Sequence, residues 1–440
     1  MDPDSRITVI SEEPHKAYSK PIISHYLSGK ITWDQVLESG KRLAPTGDNL
    51  EYLLDRTVTT IDPSNHLLDV ASGDKIPYDR LMIATGARQK IPPILGLDPI
   101  KVQPFLTLND AGILDRKIQS GKRALVIGGG LIGLEAADAL SARGMSVTVI
   151  EIMPWVLPTV LDRNAGQVVG AHFVNHGIEI RTATMVNEIT THADGSGEVV
   201  LSDGSKLPFA LAVLAAGVEP KSFVKEIPGL RVERGIVVDF NGRTSLEGVF
   251  AAGDVAEGPD PLRDGRSLNL NWMSAREQGR VAGRAMANSG GEYRGSIMLN
   301  SLNLMDCPII TIGISVVPNP PSSGGSGSDV TFTEIIDTTK KPGVYRKLTI
   351  RDEKVVGAIL VGDITFSGSY HKFIRERIDI GDLGVEMLTG GRRFIQRLSE
   401  LRKEEMEGEY DWRQHVWEET PYRKKMNTHG WKRRTGQTPS

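Results

Sequence analysis

The stretch ALVIGGGLIGLEAADALSARGMSVTVIE, Ala124 to Glu151, limits the possible folds of this chain more than any other. An apolar run from Ala124 to Ile127 enters Gly128-x-Gly130-x-x-Gly133, and a segment follows with Leu134, Ala137 and Leu140 on one helical face. A second apolar run then ends on Glu151. This order predicts strand, tight loop, helix and second strand, the unit that binds dinucleotides. Gly128 permits the turn, Gly130 lets backbone approach a pyrophosphate, and Gly133 lets the helix pack on the strand, with the diphosphate at the helix N-terminus. Glu151 is placed to take the adenosine ribose hydroxyls. Its carboxylate would repel a 2′-phosphate and the following IMPW offers no arginine, so NADH is expected over NADPH.

The chain also repeats itself. GDKIPYDRLMIATGA, Gly73 to Ala87, matches GSKLPFALAVLAAGV, Gly204 to Val218, through Gly, Lys, an aliphatic, Pro, an aromatic and an apolar strand ending in Ala-x-Gly. Two similar modules are implied. Near the start, RITVISEE is the counterpart of the acid-ended SVTVIE of the second module. The same offset carries the partner of Gly128 to a point ahead of Met1, so the first module's own strand, glycine loop and helix are expected to lie outside this sequence. A coding frame that starts farther upstream is the favoured explanation, since a sheet without its central strand would expose apolar edges.

Other features narrow the class. With 440 residues there is room for two or three domains, and a net charge of -3 gives no general attraction to nucleic acid or membrane. One cysteine, Cys307, excludes an intramolecular disulfide. Neither a leader nor a run long enough to span a membrane is recognised, so a cytoplasmic protein is expected.

The paired modules resemble the FAD-dependent pyridine nucleotide-disulfide oxidoreductase superfamily, in which one module holds FAD and an inserted one holds NAD(P)H. TSLEGVFAAGDVAE, Thr244 to Glu257, is similar to the superfamily's second flavin fingerprint, with Gly253 near the ligand and Asp254 accepting from a ribityl hydroxyl. YSKPIISHYLSG, Tyr18 to Gly29, resembles the Y-x-R-P-x-L-S segment of rubredoxin reductases, oxygenase-type ferredoxin reductases and the nitrite reductase large subunit. Lys20 and Pro21 stand where that segment has Arg-Pro, and His25 stands where a lysine is common. The segment has no redox cysteine, which argues against disulfide chemistry. Lys20 and His25 as solvated loop residues remain an open alternative.

The resemblance implies an α/β fold of two Rossmann-like, three-layer dinucleotide-binding modules, the NAD module inserted in the FAD module, plus an α+β C-terminal interface domain. The expected divisions are 1–105 with 235–294 for FAD, 106–234 for NAD, 295–400 for the interface or dimerisation domain and 401–440 for a tail. It further implies flavin or nucleotide contacts from Glu12, Lys20, Val58, Ala84, Thr85, Gly86, Gly217, Gly253, Asp254 and Trp272, beside Gly128, Gly130, Gly133 and Glu151. Trp272 lies in a segment, Leu268 to Asn288, read as a helix with Ala275, Gly279, Ala282 and Ala285 at helical spacing; a core role for the tryptophan stays open. Glu135 matches the glutamate of GxGxxGxE near the nicotinamide, and with Lys20 it is a candidate catalytic residue; a solvated helix position is the alternative.

The implied function is electron transfer between NAD(H) and an iron–sulfur, ferredoxin or rubredoxin-type protein, with FAD and NAD(H) as cofactors, alone or in a larger complex. A homodimer is left open. The rival readings are an NADH oxidase or a CoA-disulfide or polysulfide reductase, and a non-catalytic NAD-binding or assembly subunit. VPNPPSSGGSGSD, Val317 to Asp329, reads as a loop. The tail with Trp412, Trp417 and Trp431 suggests either a solvated end or docking, with an iron–sulfur subunit as the expected partner.

Overall fold

The structure is a computed structural model that describes residues 5–42, 46–263, 265–289, 295–317, 331–337 and 341–407. The Val317–Asp329 loop lies almost wholly outside them, and the three tail tryptophans lie outside them entirely.

The glycine fingerprint seeds a five-stranded parallel sheet ordered Glu179–Arg181, Ser146–Ile150, Arg123–Ile127, Leu211–Leu214, Gln103–Pro104. Side chains alternate across a strand, so the two faces of Arg123–Ile127 serve different cores. Ala124 and Val126 pack with Leu134, Ala137 and Leu140 of the helix Leu131–Ala142, and with Val169 and Phe173 of the helix Arg163–Asn175. Leu125 and Ile127 face Val186, Ile189, Val199, Leu207 and Phe209 of an antiparallel meander. Helix, parallel sheet and meander are the three layers of the second module.

The repeat seen in the sequence is a structural repeat. The first module has its own meander, Val58–Asp62, Leu67–Val70 and Lys75–Pro77, matching Val186–Thr191, Gly197–Leu201 and Lys206–Phe209 of the second. In both, the Lys-x-Pro strand leads into a parallel strand and an Ala-x-Gly turn. Its parallel strands form three separate pairs among the described residues, Ile7–Ile10 with Leu50–Leu53, Leu81–Ile83 with Val249–Ala251, and Ile236–Val237 with Ala256–Pro259. Beyond the two turns, Ala87–Gln89 and Val218–Pro220 pair antiparallel, and Arg88 and Glu219 close the ribbon with an ion pair at 2.9 Å. This ribbon joins the inserted module to its host.

The third part is a five-stranded antiparallel sheet ordered Leu299–Leu304, Cys307–Gly313, Lys354–Val361, Tyr345–Arg351, Thr333–Ile336. Tyr370, Phe373 and Ile374 of the helix Ser367–Glu376 are buried. Leu304, Cys307, Ile309, Tyr345, Ile359 and Val361 share a buried apolar core with the NAD module, and polar contacts add to that tie. The turn at Met305 donates its N–H to Asp138 at 3.3 Å and meets His172 Nε2 through its carbonyl at 2.9 Å. Lys347, 1% exposed, pairs with Asp162 at 2.8 Å and Glu334 at 2.7 Å. The helices Gly384–Thr389 and Arg392–Glu407 belong to a second compact unit that begins at Asp382. No helix among the described residues is long and apolar enough to cross a membrane.

Candidate functional site

At the NAD loop each glycine has a distinct geometry. Gly128 has φ +111°, a left-handed conformation, and a Cβ there would lie 2.3 Å from the Ala215 carbonyl oxygen. A Cβ on Gly133 would lie 1.9 Å from the carbonyl oxygen of Gly128, so the helix can start this close to the strand only without a side chain. Gly130 caps the helix, and a Cβ there would meet nothing within 4 Å. No acid stands in the first helical turn, which leaves the N-terminal amides and the positive end of the helix dipole for an anion.

Glu151 follows the second strand and is 6% exposed. Its carboxylate accepts from the Gly129 N–H at 2.7 Å and the Met153 N–H at 2.8 Å. The acid is thereby fixed against the glycine loop, with exposed Ile152 and Met153 beside it. Glu151 and the three glycines are brought together as expected.

The flavin-side residues converge where the parallel strands Leu81–Ile83 and Val249–Ala251 end. Ala84, Thr85 and Gly86 leave one strand, and Ala252, Gly253 and Asp254 leave its neighbour, joined by the Ala252 N–H to the Ile83 carbonyl at 3.1 Å. Gly86 (φ +67°) and Gly253 (φ +79°) are left-handed, and a Cβ on Gly86 would stand in open space. The Gly253 N–H donates to Gln278 Oε1 at 2.7 Å. Burial pushes the Asp254 carboxyl up, while Lys20 draws it down. Lys20 stands 3.8 Å from Glu13, whose carboxylate accepts from the Tyr18 hydroxyl at 2.7 Å; that hydroxyl accepts the Leu108 N–H at 2.8 Å.

Trp272 is half-buried at the first position of the helix Trp272–Met286. Asn271 caps that helix through the Ser274 N–H at 2.9 Å. Asn271 Nδ2, Ser274 Oγ and Thr85 Oγ1 are buried without a hydrogen-bond partner. Leaving such groups unpaired is costly. Three orphaned polar groups beside the open, left-handed Gly86 and the left-handed Gly253 fit a polar ring and chain such as the isoalloxazine and ribityl of FAD.

The other expected residues sit apart from this cluster or have other contacts. Glu12 pairs with Lys221. Val58 opens a meander strand, and the Gly217 carbonyl accepts from the Lys90 N–H at 3.0 Å and Gln89 Nε2 at 2.8 Å in the connecting ribbon. Glu135 lies on the NAD helix, which packs against the short helix Ile23–Leu27. Burial, together with the charge of Asp138, pushes the Glu135 carboxyl up to about 7, against a hydrogen bond from Ser24. His25 is exposed and makes no ion pair with it. Cys307 is buried in the C-terminal sheet, and burial pushes its thiol up.

Sequence reasoning missed Glu13, Gln278, Asn271 and Ser274. A polar residue inside the Leu268–Asn288 segment was the available signal for Gln278, since its helical spacing from Ser274 puts both on one face. The expected helix is present over Trp272–Met286. The helix buries Ser274, Gln278, Val281, Ala282 and Ala285, and Ala275 and Gly279 are only half-buried. On that face Gln278 supplies the acceptor that the Gly253 amide needs.

The family described as pyridine nucleotide-disulphide oxidoreductase matches residues 3–279, and the rubredoxin NAD+ reductase C-terminal domain matches residues 299–378. The epsilon subunit of NADH-dependent phenylglyoxylate dehydrogenase from Aromatoleum evansii is 28% identical over 385 residues, covering 87% of this chain and 88% of that protein. The ferredoxin–NAD(+) reductase subunit of the benzene 1,2-dioxygenase system from Pseudomonas putida is 31% identical over 290 residues, covering 64% of this chain and 68% of that protein. Among solved structures, a NAD-dependent persulfide reductase from A. fulgidus superposes with a TM-score of 0.75 at 28% identity, covering 86% of this chain and 73% of the other.

Proposed function

This chain belongs to the pyridine nucleotide-disulphide oxidoreductase family, and from that premise we propose that it passes electrons between NAD(H) and an iron–sulfur, ferredoxin or rubredoxin-type protein. It is an FAD-dependent NADH oxidoreductase. The observation that carries the choice of acceptor is the lack of any cysteine between residues 11 and 40, with the one cysteine of the chain buried in the C-terminal sheet. A disulfide acceptor needs a thiolate in reach of the flavin.

The chemistry a bound flavin supplies is the exchange of a two-electron hydride for single electrons. The protein's part is binding and orientation. Gly128, Gly130 and Gly133 with their helix N-terminus would hold the NADH pyrophosphate, and Glu151 the ribose. Thr85, Gly86, Gly253, Asp254 and the Asn271 cap would hold the flavin. Lys20 would set the local charge there against Glu13 and Asp254, and Glu135 would keep a proton near neutral pH. The reading includes a cytoplasmic location and a homodimer formed by the C-terminal domain, the latter checked by light scattering.

A second reading, a disulfide or persulfide reductase, is supported by the likeness to the A. fulgidus persulfide reductase. One experiment separates the two. An anaerobic visible spectrum with added FAD, taken before and after NADH, should show flavin bands that bleach. Reoxidation by a ferredoxin and not by a disulfide is the expected result. Reoxidation by the disulfide alone would overturn the proposal.

A further inference from the structure

We propose that the last hairpin of the C-terminal sheet carries a binding site for a small phosphate-type anion, apart from the NAD loop and from the residues assigned to the flavin. The strands Tyr345–Arg351 and Lys354–Val361 turn at Asp352 and Glu353, whose φ values of 51° and 56° are both left-handed, as a two-residue hairpin loop demands. Arg351 and Lys354 are therefore partners directly across the strand ends, with their side chains on one face and their Cβ atoms about 5 Å apart. Arg377, the left-handed C-cap of the helix Ser367–Glu376, brings a third cation to the same place.

The three cations line a cavity of about 40 Å³. One water needs roughly 10–15 Å³, so the space admits a group of several heavy atoms. Buried Leu262, Val356 and Ile374 give it an apolar wall that offers the cations no acceptor. The acid in the lining is Asp352, 84% exposed and 3.8 Å from Arg351, too far for a hydrogen bond. The Arg351 side chain is only 12% exposed, and among the described residues nothing hydrogen-bonds its guanidinium. Lys354 and Arg377 make no ion pair among the described residues. Nearby acids do not answer them either: the Asp379 carboxylate accepts the Gly381 N–H at 2.7 Å, and Glu353 makes no ion pair among the described residues.

Like charges directly opposite across a hairpin destabilise it, and a largely buried guanidinium without an acceptor adds a desolvation cost. Both are relieved by one oxyanion in the cavity. Three cations against one exposed carboxylate leave a surplus of two positive charges, which matches a phosphate dianion better than a carboxylate. A guanidinium presents two parallel N–H donors to phosphate oxygens, and an ammonium adds a compact charge beside them. Inorganic phosphate and the phosphate end of a metabolite share this chemistry. Leu262 comes from the segment between the strands Ala256–Pro259 and Arg266–Ser267, so a bound anion joins that segment, the hairpin and the end of the helix, and should raise the melting temperature.

The test is calorimetry of the full chain with FAD added and NAD+ saturating, so that the glycine loop is already occupied. Inorganic phosphate and glycerol phosphate are titrated separately against sodium chloride of matched ionic strength. Wild type should bind phosphate at one site per chain, and Arg351→Gln/Lys354→Gln should weaken it at least about tenfold. Without phosphate, Lys354→Gln should melt no lower than wild type, because a repulsion is removed, yet it should lose the rise that phosphate gives wild type. A lysine with a purely structural role would lower the melting temperature in both conditions. The NAD+-induced rise should stay unchanged in every variant, showing that each folds. If the double variant does not fold, Arg377→Gln at its exposed position carries the comparison, with weaker phosphate binding expected. Preference for glycerol phosphate would support the site with a metabolite's phosphate as its ligand, and preference for inorganic phosphate would support it with the free anion. Wild-type heats no larger than those of sodium chloride would overturn the inference, as would unchanged phosphate affinity in the variants.

Discussion

Gly130 and Gly133 stand one helical turn apart, yet an alanine meets different surroundings at each. At Gly133 the new methyl would sit 1.9 Å from a backbone oxygen that has no rotamer to escape into. Gly133→Ala should therefore cost about 2–4 kcal/mol in urea unfolding, because helix and strand must separate. At Gly130 the methyl would enter open space, so Gly130→Ala should unfold like wild type but lose most of the NADH-induced rise in melting temperature. Wild-type NADH affinity in Gly130→Ala would remove this loop from the nucleotide site. Glu135 supports a second residue-scale prediction. Its folded-state carboxyl is raised from 4.5 to about 7, so the folded protein binds the proton more tightly than the unfolded chain. That contribution to stability is complete below about pH 4.5 and is lost as pH rises to about 7. Glu135→Gln should remove the decline and be more stable than wild type by about 1–2 kcal/mol at pH 8. Unchanged pH dependence of the melting temperature would show that the carboxyl is not held in the protonated form.

Among elements, the strand Tyr345–Arg351 and the helix Arg163–Asn175 depend on one buried charge. Lys347 joins Asp162, the cap of that helix, to Glu334 on the edge strand. Burial pushes the Asp162 carboxyl up, but the Ala165 N–H, Lys347 and the Tyr345 hydroxyl together hold it below its ordinary range. A lowered carboxyl stabilises above its unfolded pKa and loses that effect as pH falls through the folded one. Lys347→Met leaves two carboxylates without their cation, and should cost about 3–5 kcal/mol at neutral pH with a shallower acid limb. Equal urea midpoints for variant and wild type would contradict it. The sequence marked the two similar modules by the repeated Lys-x-Pro pattern. It passed over Gln278 in the Trp272–Met286 helix, because periodicity counts small and apolar residues and not a glutamine needed by a distant amide.

For the whole molecule, the contacts among the described residues divide the chain after Gly381. A chain ending at Gly381 keeps every residue assigned to NADH and flavin. It should fold on its own and still gain about 2.7 kcal/mol from NADH at a hundred times the dissociation constant. Calorimetry of the shortened chain checks this, and loss of the NADH effect would tie the site to the later residues. The sequence by itself determined the paired dinucleotide modules and the positions of Gly128, Gly130, Gly133, Gly253 and Glu151, since a left-handed turn or a helix touching a strand is a local demand that few residues meet. Only the tertiary structure decided that Lys20 lies between Glu13 and Asp254, that Gln278 holds Gly253, that Ser24 reaches Glu135 and that Lys347 meets Asp162. Most of these partners are far apart in the chain, and each polar group takes whichever neighbour the packing of separate elements brings within hydrogen-bonding distance.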